Sequence, residues 1–507
     1  MVAANKDYTN VHKLGKEAAL IEGISGLLGW DQETMMPQGA LQIRSEQQAF
    51  LAELQHKKMT GAPFRRALEK LIDLETGNVI AQGLTACQEA SLRRWRRDYQ
   101  RSNALPKSFV SQFAKLTANA KDHWKQARET NCYSNFHPYL GKIIDMCRKK
   151  ADLIGYNDQP YDALLDEYEP EMTTAQVTAL FDEIRAPVTA LVKQIGSAKQ
   201  VNDSILYGDF PVDKQMGFVN RILKDIGYDS KYGRIDLSAH PFSSSCHPTD
   251  NRITTRVSTK HFHHNILAAM HEAGHSLYEM GLPIEAFGSP LGQAISLGVH
   301  ESQSRWWETR IGQTRDFWIH YLPVLGSMLN ESFASLDIDT FYRAINKVAP
   351  TMIRVEADEV TYPLHVMLRF EIEVALIEGT LSVKDLPDAW NEKMEHYLGI
   401  IPQTPSEGCL QDIHWSMGAF GYFPTYSIGN IFCAQMFLTF EQEHSDWKNR
   451  IAQGQFTFVL DWLRKNIHQH GRRYNGTELV EKVSGRPFTA KPYLEYLQQK
   501  YGAIYDL

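Results

Sequence analysis

The chain has 507 residues, 43% of them hydrophobic, and a net charge of −7 at pH 7. That length and apolar content can bury a large core and exclude a disordered or fibrous chain. The negative balance leaves no basic footprint for nucleic acid.

Runs with helical period fill most of the chain, at about 12–28, 40–58, 64–77, 80–101, 107–129, 174–196 and 212–226. They continue at about 261–280, 293–311, 314–330, 339–348, 353–378, 386–397, 425–443 and 447–468, so the fold class is mainly α. Arg93, Arg94, Arg96, Arg97 and Arg101 form the one basic cluster, read as a solvated or lobe-bridging helix face. Strand character is confined to about 205–209 and 234–258, a small sheet whose edge can pair with an extended peptide. No linker, repeat or low-complexity run marks a boundary, so residues 1–507 read as one continuous fold with two lobes around a cleft.

The first ten residues, MVAANKDYTN, lack the apolar core of a secretion signal. Cys87, Cys132, Cys147, Cys246, Cys409 and Cys433 are scattered without a CxxC, as expected of free thiols in a reducing compartment. The expected location is therefore cytoplasmic. Residues 415–440 hold no charged side chain and are long enough to span a bilayer. Pro424, Asn430 and Gln435 with interleaved tyrosines fit a buried helix lining a site better than a membrane span.

The densest chemistry lies at His271-Glu272-Ala273-Gly274-His275, an HExxH pentapeptide inside a helical pattern. Residues four apart share one helix face, so both imidazoles can reach one ion with Glu272 beside it as a base. A third ligand is required. Glu301, 26 residues after His275, completes a His2Glu set of the kind that leaves a fourth position open. His300 points about 100° away from Glu301 around a helix, which makes it a supporting or substrate-contacting group instead.

Further motifs follow in a fixed order: His240-Pro241-Phe242, Asp250-Asn251-Arg252-Ile253-Thr254, HExxH, His300-Glu301-Ser302-Gln303, Ile353-Arg354-Val355-Glu356-Ala357-Asp358, and Gly408 to Trp415 (GxxQDxHW). In this order they closely resemble the M32 metallocarboxypeptidases, of the carboxypeptidase Taq type. Outside the site the resemblance extends from Gly29–Pro37 through Tyr161–Pro170 to Pro492–Leu497, which is essentially the whole chain.

The resemblance implies a helical, neurolysin-like gluzincin fold with a deep substrate channel and a small β-sheet beside the metal site. It implies hydrolysis of the C-terminal peptide bond of peptides with a free C-terminus, and a homodimer; broad specificity is expected because no second charged group stands near these motifs to select side chains. A helical-gluzincin oligopeptidase or dipeptidase is the alternative. One divalent ion is expected, Zn2+ with Co2+ possible, since a nitrogen and oxygen ligand set takes either. His414 and Tyr426 are implied as oxyanion donors, with Tyr422 as the competing tyrosine. Arg354 is implied as the partner of the terminal carboxylate, a role its planar fork suits. Arg252 beside Asp250 competes for it or is a structural ion pair, and His240 is a substrate contact or a loop anchor. Glu308, Glu356 and Asp358 are equivalent candidates to accept from the ligand imidazoles.

Overall fold

Asn5 opens the first long helix by accepting from the N–H groups of Asp7 and Tyr8, and the helix runs Lys6–Thr34. The computed structural model describes residues 5–507, so the first four residues of the segment read above for a leader lie outside it. The first helix packs on Leu41–Thr60. With Ala62–Glu69 and Ala86–Ala104 these helices surround a small core of their own, which includes Val11, Phe64, Leu68, Leu92 and Trp95. The remaining helices share one large core that extends from Ala120 to Tyr505.

Polar side chains join the helices of the small core to segments of the large one. Arg94 meets Glu171 at 2.5 Å, Arg97 and Arg101 share Asp166, and Arg472 holds Asp98 at 2.7 Å. Three of the five clustered arginines therefore pair with carboxylates outside the small-core helices. Arg96 instead donates to the carbonyls of Leu74 and Glu75 beside the small core, and Arg93 pairs with Glu89 on the surface.

The sheet has three strands, β1 (Gly233–Leu237), β2 (Ser243–His247) and β3 (Asp250–Thr255), in the order β1-β3-β2. β3 is central, parallel to β1 with Ile235 opposite Ile253, and antiparallel to β2 with Ser244 opposite Arg252. The strand expected at 205–209 is absent. Ser204–Leu206 form a 3-10 turn, started by Asn202 accepting from Ser204 N–H, and Tyr207 makes a single bridge to His261.

Helix boundaries differ from expectation where a side chain captures backbone donors. The run read as helical from 353 begins at Tyr362, because Asp358 accepts from Val360, Thr361 and Ala349 and so holds the preceding loop open. The run at 447–468 is two helices, Trp447–Ala452 and Thr457–Asn466, parted at Gly454 with positive φ. His137–Ile154, Gly476–Ser484 and Lys491–Tyr505 are helices that the pattern did not bring out. The uncharged stretch becomes the buried helix Pro424–Glu443. No described helix is long and apolar enough to cross a membrane.

The HExxH helix, His263–Met280, lies directly against Leu297–Arg305, and Gly274 sets their separation. A Cβ at Gly274 would stand 2.5 Å from Gln303 O and 2.6 Å from Ser304 Cα. Gly274→Ala should therefore destabilise the protein by about 1–3 kcal/mol through forced backbone shifts. Calorimetry checks this, and an unchanged melting temperature would mean the helices tolerate wider spacing.

Candidate metal centre and peptidase site

His271, His275 and Glu301 bring one ligand atom each within 4.8 Å of the others. Both imidazole Nε2 atoms stand 3.7 Å from Glu301 Oε2. Ligands around a tetrahedral ion at the usual 2.0–2.2 Å stand about 3.3–3.6 Å apart, so the three fit one divalent cation with little movement. Gly429 of the helix Pro424–Glu443 makes room for Glu301: a Cβ there would lie 2.6 Å from the glutamate's own Cβ and Cγ.

The other ring nitrogens are fixed by two different arms. His271 Nδ1 lies 2.8 Å from Glu308 Oε2, and Arg305 Nη1 donates to the same oxygen at 2.7 Å. Despite burial, Arg305 and His271 hold the Glu308 carboxyl down at about 2, so it remains an ionised acceptor. His275 Nδ1 lies 2.6 Å from His300 Nδ1, and His300 Nε2 lies 2.9 Å from Glu279 Oε1. If His275 keeps Nε2 free as a ligand, its Nδ1–H donates to His300, whose own proton then sits on Nε2 and donates to Glu279. Of the three candidate acceptors, Glu308 is the one in place. Glu356 stands in an exposed 3-10 turn, and Asp358 is occupied by its loop.

Glu272 is 8% exposed between these arms, and burial pushes its carboxyl up to about 7, the range that suits a general base near neutral pH. A cleft of about 710 Å3 is lined by Ala19, Glu22 and Gly23 of the first helix, by Arg97 and Arg101, and by Tyr168 and Arg472. β2, through Ser243 and Ser245, forms part of its wall, as do His300 and Glu279, the arm behind His275.

Arg354 is 5% exposed at the far side of the site. Its Nε and one Nη2 hydrogen go to Asp412 Oδ1 at 3.1 and 2.9 Å, and one Nη1 hydrogen goes to the Tyr362 hydroxyl at 2.9 Å. One hydrogen on each terminal nitrogen is left free, the pair a carboxylate can bridge. Arg369, fully buried, meets the other Asp412 oxygen at 2.7 Å. Two guanidiniums thus share one carboxylate, which leaves an uncompensated positive charge in a dry place and favours an incoming anion.

Tyr426 lies under Arg354, with the guanidinium 4.9 Å from its ring centre, and its hydroxyl is 3.4 Å from His414 Nε2. Tyr422 packs beside both, at 5.4 Å from Tyr426 and 5.1 Å from His414 between ring centres. Burial and the neighbouring Arg354 lower His414 to about 4, so it is neutral at pH 7 and offers one N–H. Glu373 holds the segment between these rings by accepting from Trp415 Nε1, Gly421 N–H and the Tyr161 hydroxyl. Arg252, by contrast, is bidentate to Asp250 at 2.8 and 3.1 Å and stacks 4.7 Å over Trp30 of the first helix. His240 is exposed in the β1–β2 loop.

Sequence reading passed over Arg305, Glu279, Tyr362 and Arg369, and took Asp412 only as part of the GxxQDxHW motif. Arg305 had a signal, since it stands four residues after Glu301 and three before Glu308 on one helical path. The others are joined only by tertiary contacts.

This fold and site define a metallopeptidase of the HExxH type. The family model for carboxypeptidase Taq (M32) metallopeptidases matches residues 10–501. The chain is 40% identical over 511 residues to thermostable carboxypeptidase 1 of Thermus thermophilus, covering 98% of this chain and 99% of that protein. It superposes on the M32 carboxypeptidase of Deinococcus radiodurans with a TM-score of 0.95 at 36% identity, covering 99% and 100% of the two chains. The Pyrococcus furiosus carboxypeptidase gives 0.93 at 33% identity, covering 99% and 100%. The chain belongs to the M32 family and is a metal-dependent carboxypeptidase, a peptide hydrolase.

Proposed function

We propose that His271, His275 and Glu301 hold one divalent ion, zinc or in its place cobalt, and that the enzyme removes single residues from peptides with a free C-terminus. The carrying observation is the pairing of this ligand set with a buried, charge-unbalanced Arg354–Asp412–Arg369 group that has free guanidinium hydrogens. Such an ion polarises the scissile carbonyl and makes a water acidic. Glu272 takes the proton of the attacking water and delivers it to the leaving amine, a role its raised pKa supports. Neutral His414 and the Tyr426 hydroxyl donate to the carbonyl oxygen as it gains charge, with Tyr422 as the alternative donor. Arg354 receives the terminal carboxylate through its two free hydrogens. Arg252 serves the sheet and Trp30 instead, which makes it the weaker candidate. His240 is left as a loop or substrate contact.

Arg354→Ala should lose about 30- to 1000-fold in kcat/KM on free-acid peptides, the size of a charge-assisted bidentate pair. The loss on C-terminally amidated peptides should be much smaller, and Arg354→Lys should recover only part of it. An unchanged preference for the acid over the amide in Arg354→Ala, together with its loss in Arg252→Ala, would move the role to Arg252.

We also propose a cytoplasmic homodimer. Six free cysteines fit a reducing compartment. Leu20, Ile24 and Leu27 lie exposed on one face of the first helix and offer apolar surface for self-association. Light scattering at micromolar concentration tests the assembly.

A further inference from the structure

Tyr362 stands between the ligand set and the arginine that faces the substrate's end, and none of the motifs described above includes it. It opens the helix Tyr362–Glu378 and is 8% exposed. The Arg305 guanidinium lies 4.9 Å from its ring centre, and that same guanidinium approaches Glu301 Oε1 at 3.4 Å. The ring meets Tyr426 edge-on at 6.0 Å. Its hydroxyl accepts from Arg354 Nη1 at 2.9 Å. A phenol both accepts and donates. The accepting side is used by Arg354, and among the described residues no protein group takes the phenolic hydrogen. The result is a buried O–H, oriented by an arginine, beside that arginine's own free hydrogens.

We propose that the Tyr362 hydroxyl donates to one oxygen of the substrate's C-terminal carboxylate while Arg354 holds the carboxylate from its two free N–H groups. This rests on the reading of Arg354 as the carboxylate anchor and extends it. Arg305 fixes the Tyr362 ring relative to Glu301, so the distance from the bound carboxylate to the metal ligands is set through Tyr362. That distance decides which peptide bond is cut, and a held carboxylate one residue away selects the last bond. The phenol adds a donor that discriminates a carboxylate from an amide, because an amide NH2 at that position presents hydrogens to it.

The test compares wild type, Tyr362→Phe and Arg354→Ala, each loaded with zinc, on a blocked peptide acid and the matching amide. Tyr362→Phe keeps the ring against Arg305 and Tyr426, so metal content and melting temperature should match wild type. Its KM for the acid should rise about 10- to 100-fold, as expected for a hydrogen bond to a charged group, with kcat changed less. Its loss on the amide should be at least fivefold smaller. In a cycle with Arg354→Lys the two effects should be non-additive, because both residues hold one group. Equal losses on acid and amide in Tyr362→Phe would overturn the proposal, since a packing role has no reason to distinguish them. If Arg354→Ala abolishes the acid preference while Tyr362→Phe leaves it intact, only the Tyr362 assignment fails. If Arg354→Ala leaves the preference unchanged, the carboxylate reading itself fails, and the Tyr362 proposal with it. If Tyr362→Phe does not fold, Arg305→Lys is the second variant. It should broaden the products to include shortened peptides cut one bond further in, and products identical to wild type would count against the proposal.

Discussion

Glu272→Gln will bind metal with the same stoichiometry as wild type and lose about 10²- to 10⁴-fold in kcat, the usual contribution of a positioned general base. The amide keeps the volume and most contacts of the carboxylate, and Glu272 is absent from the ligand triplet. It cannot accept a proton. Burial holds the native carboxyl at about 7, so both its forms are accessible near neutrality: the ionised form to take a proton and the neutral form to return it. Metal analysis beside steady-state kinetics checks the result. Loss of metal together with activity would make Glu272 a ligand or a structural residue.

The second large effect concerns the ligands. Glu301→Gln and His271→Ala should each lose both metal and activity, because either leaves a two-ligand site. Glu308→Gln should weaken metal retention less, by about 10- to 100-fold, as partners of ligand imidazoles usually do. It still reaches His271 but gives up the charge that Arg305 sustains. Dialysis against a graded chelator, followed by elemental analysis, orders the three. Full occupancy and normal activity in Glu301→Gln would exclude Glu301 from the set.

What could be read from the sequence was what is written locally. The spacing of His271 and His275 is a helical fact, and it puts both imidazoles within reach of one ion without any tertiary information. Glu301 was the expected third ligand because a carboxylate at this spacing fits a gluzincin-type site, and its Oε2 stands 3.7 Å from both imidazole Nε2 atoms. The sheet strands at 234–258 carried a period of two and are present as β1 to β3. The strand at 205–209 failed because a short segment with only Ile205, Leu206 and Tyr207 apolar does not record whether a neighbour exists to pair with it. The residues around Arg354 were hidden for a related reason. Asp412 and Arg369 come from distant segments, and their sharing of one carboxylate with Arg354 exists only once the core has formed. Among Glu308, Glu356 and Asp358 the sequence offered no ranking. What separates them is that Glu308 continues the ligand helix as a π-helical segment, Trp306–Gly312, whereas Asp358 is spent on its own loop.

Which bond is cut decides between a carboxypeptidase and an oligopeptidase most directly. Zinc-loaded or cobalt-loaded protein is incubated with an N-blocked peptide bearing a free C-terminus and with its C-terminal amide, and the products are identified by mass. The expected result is release of the single terminal amino acid from the acid, little cleavage of the amide, and none of either after the metal is removed. Internal fragments or dipeptides as the first products, or equal cleavage of acid and amide, would contradict it.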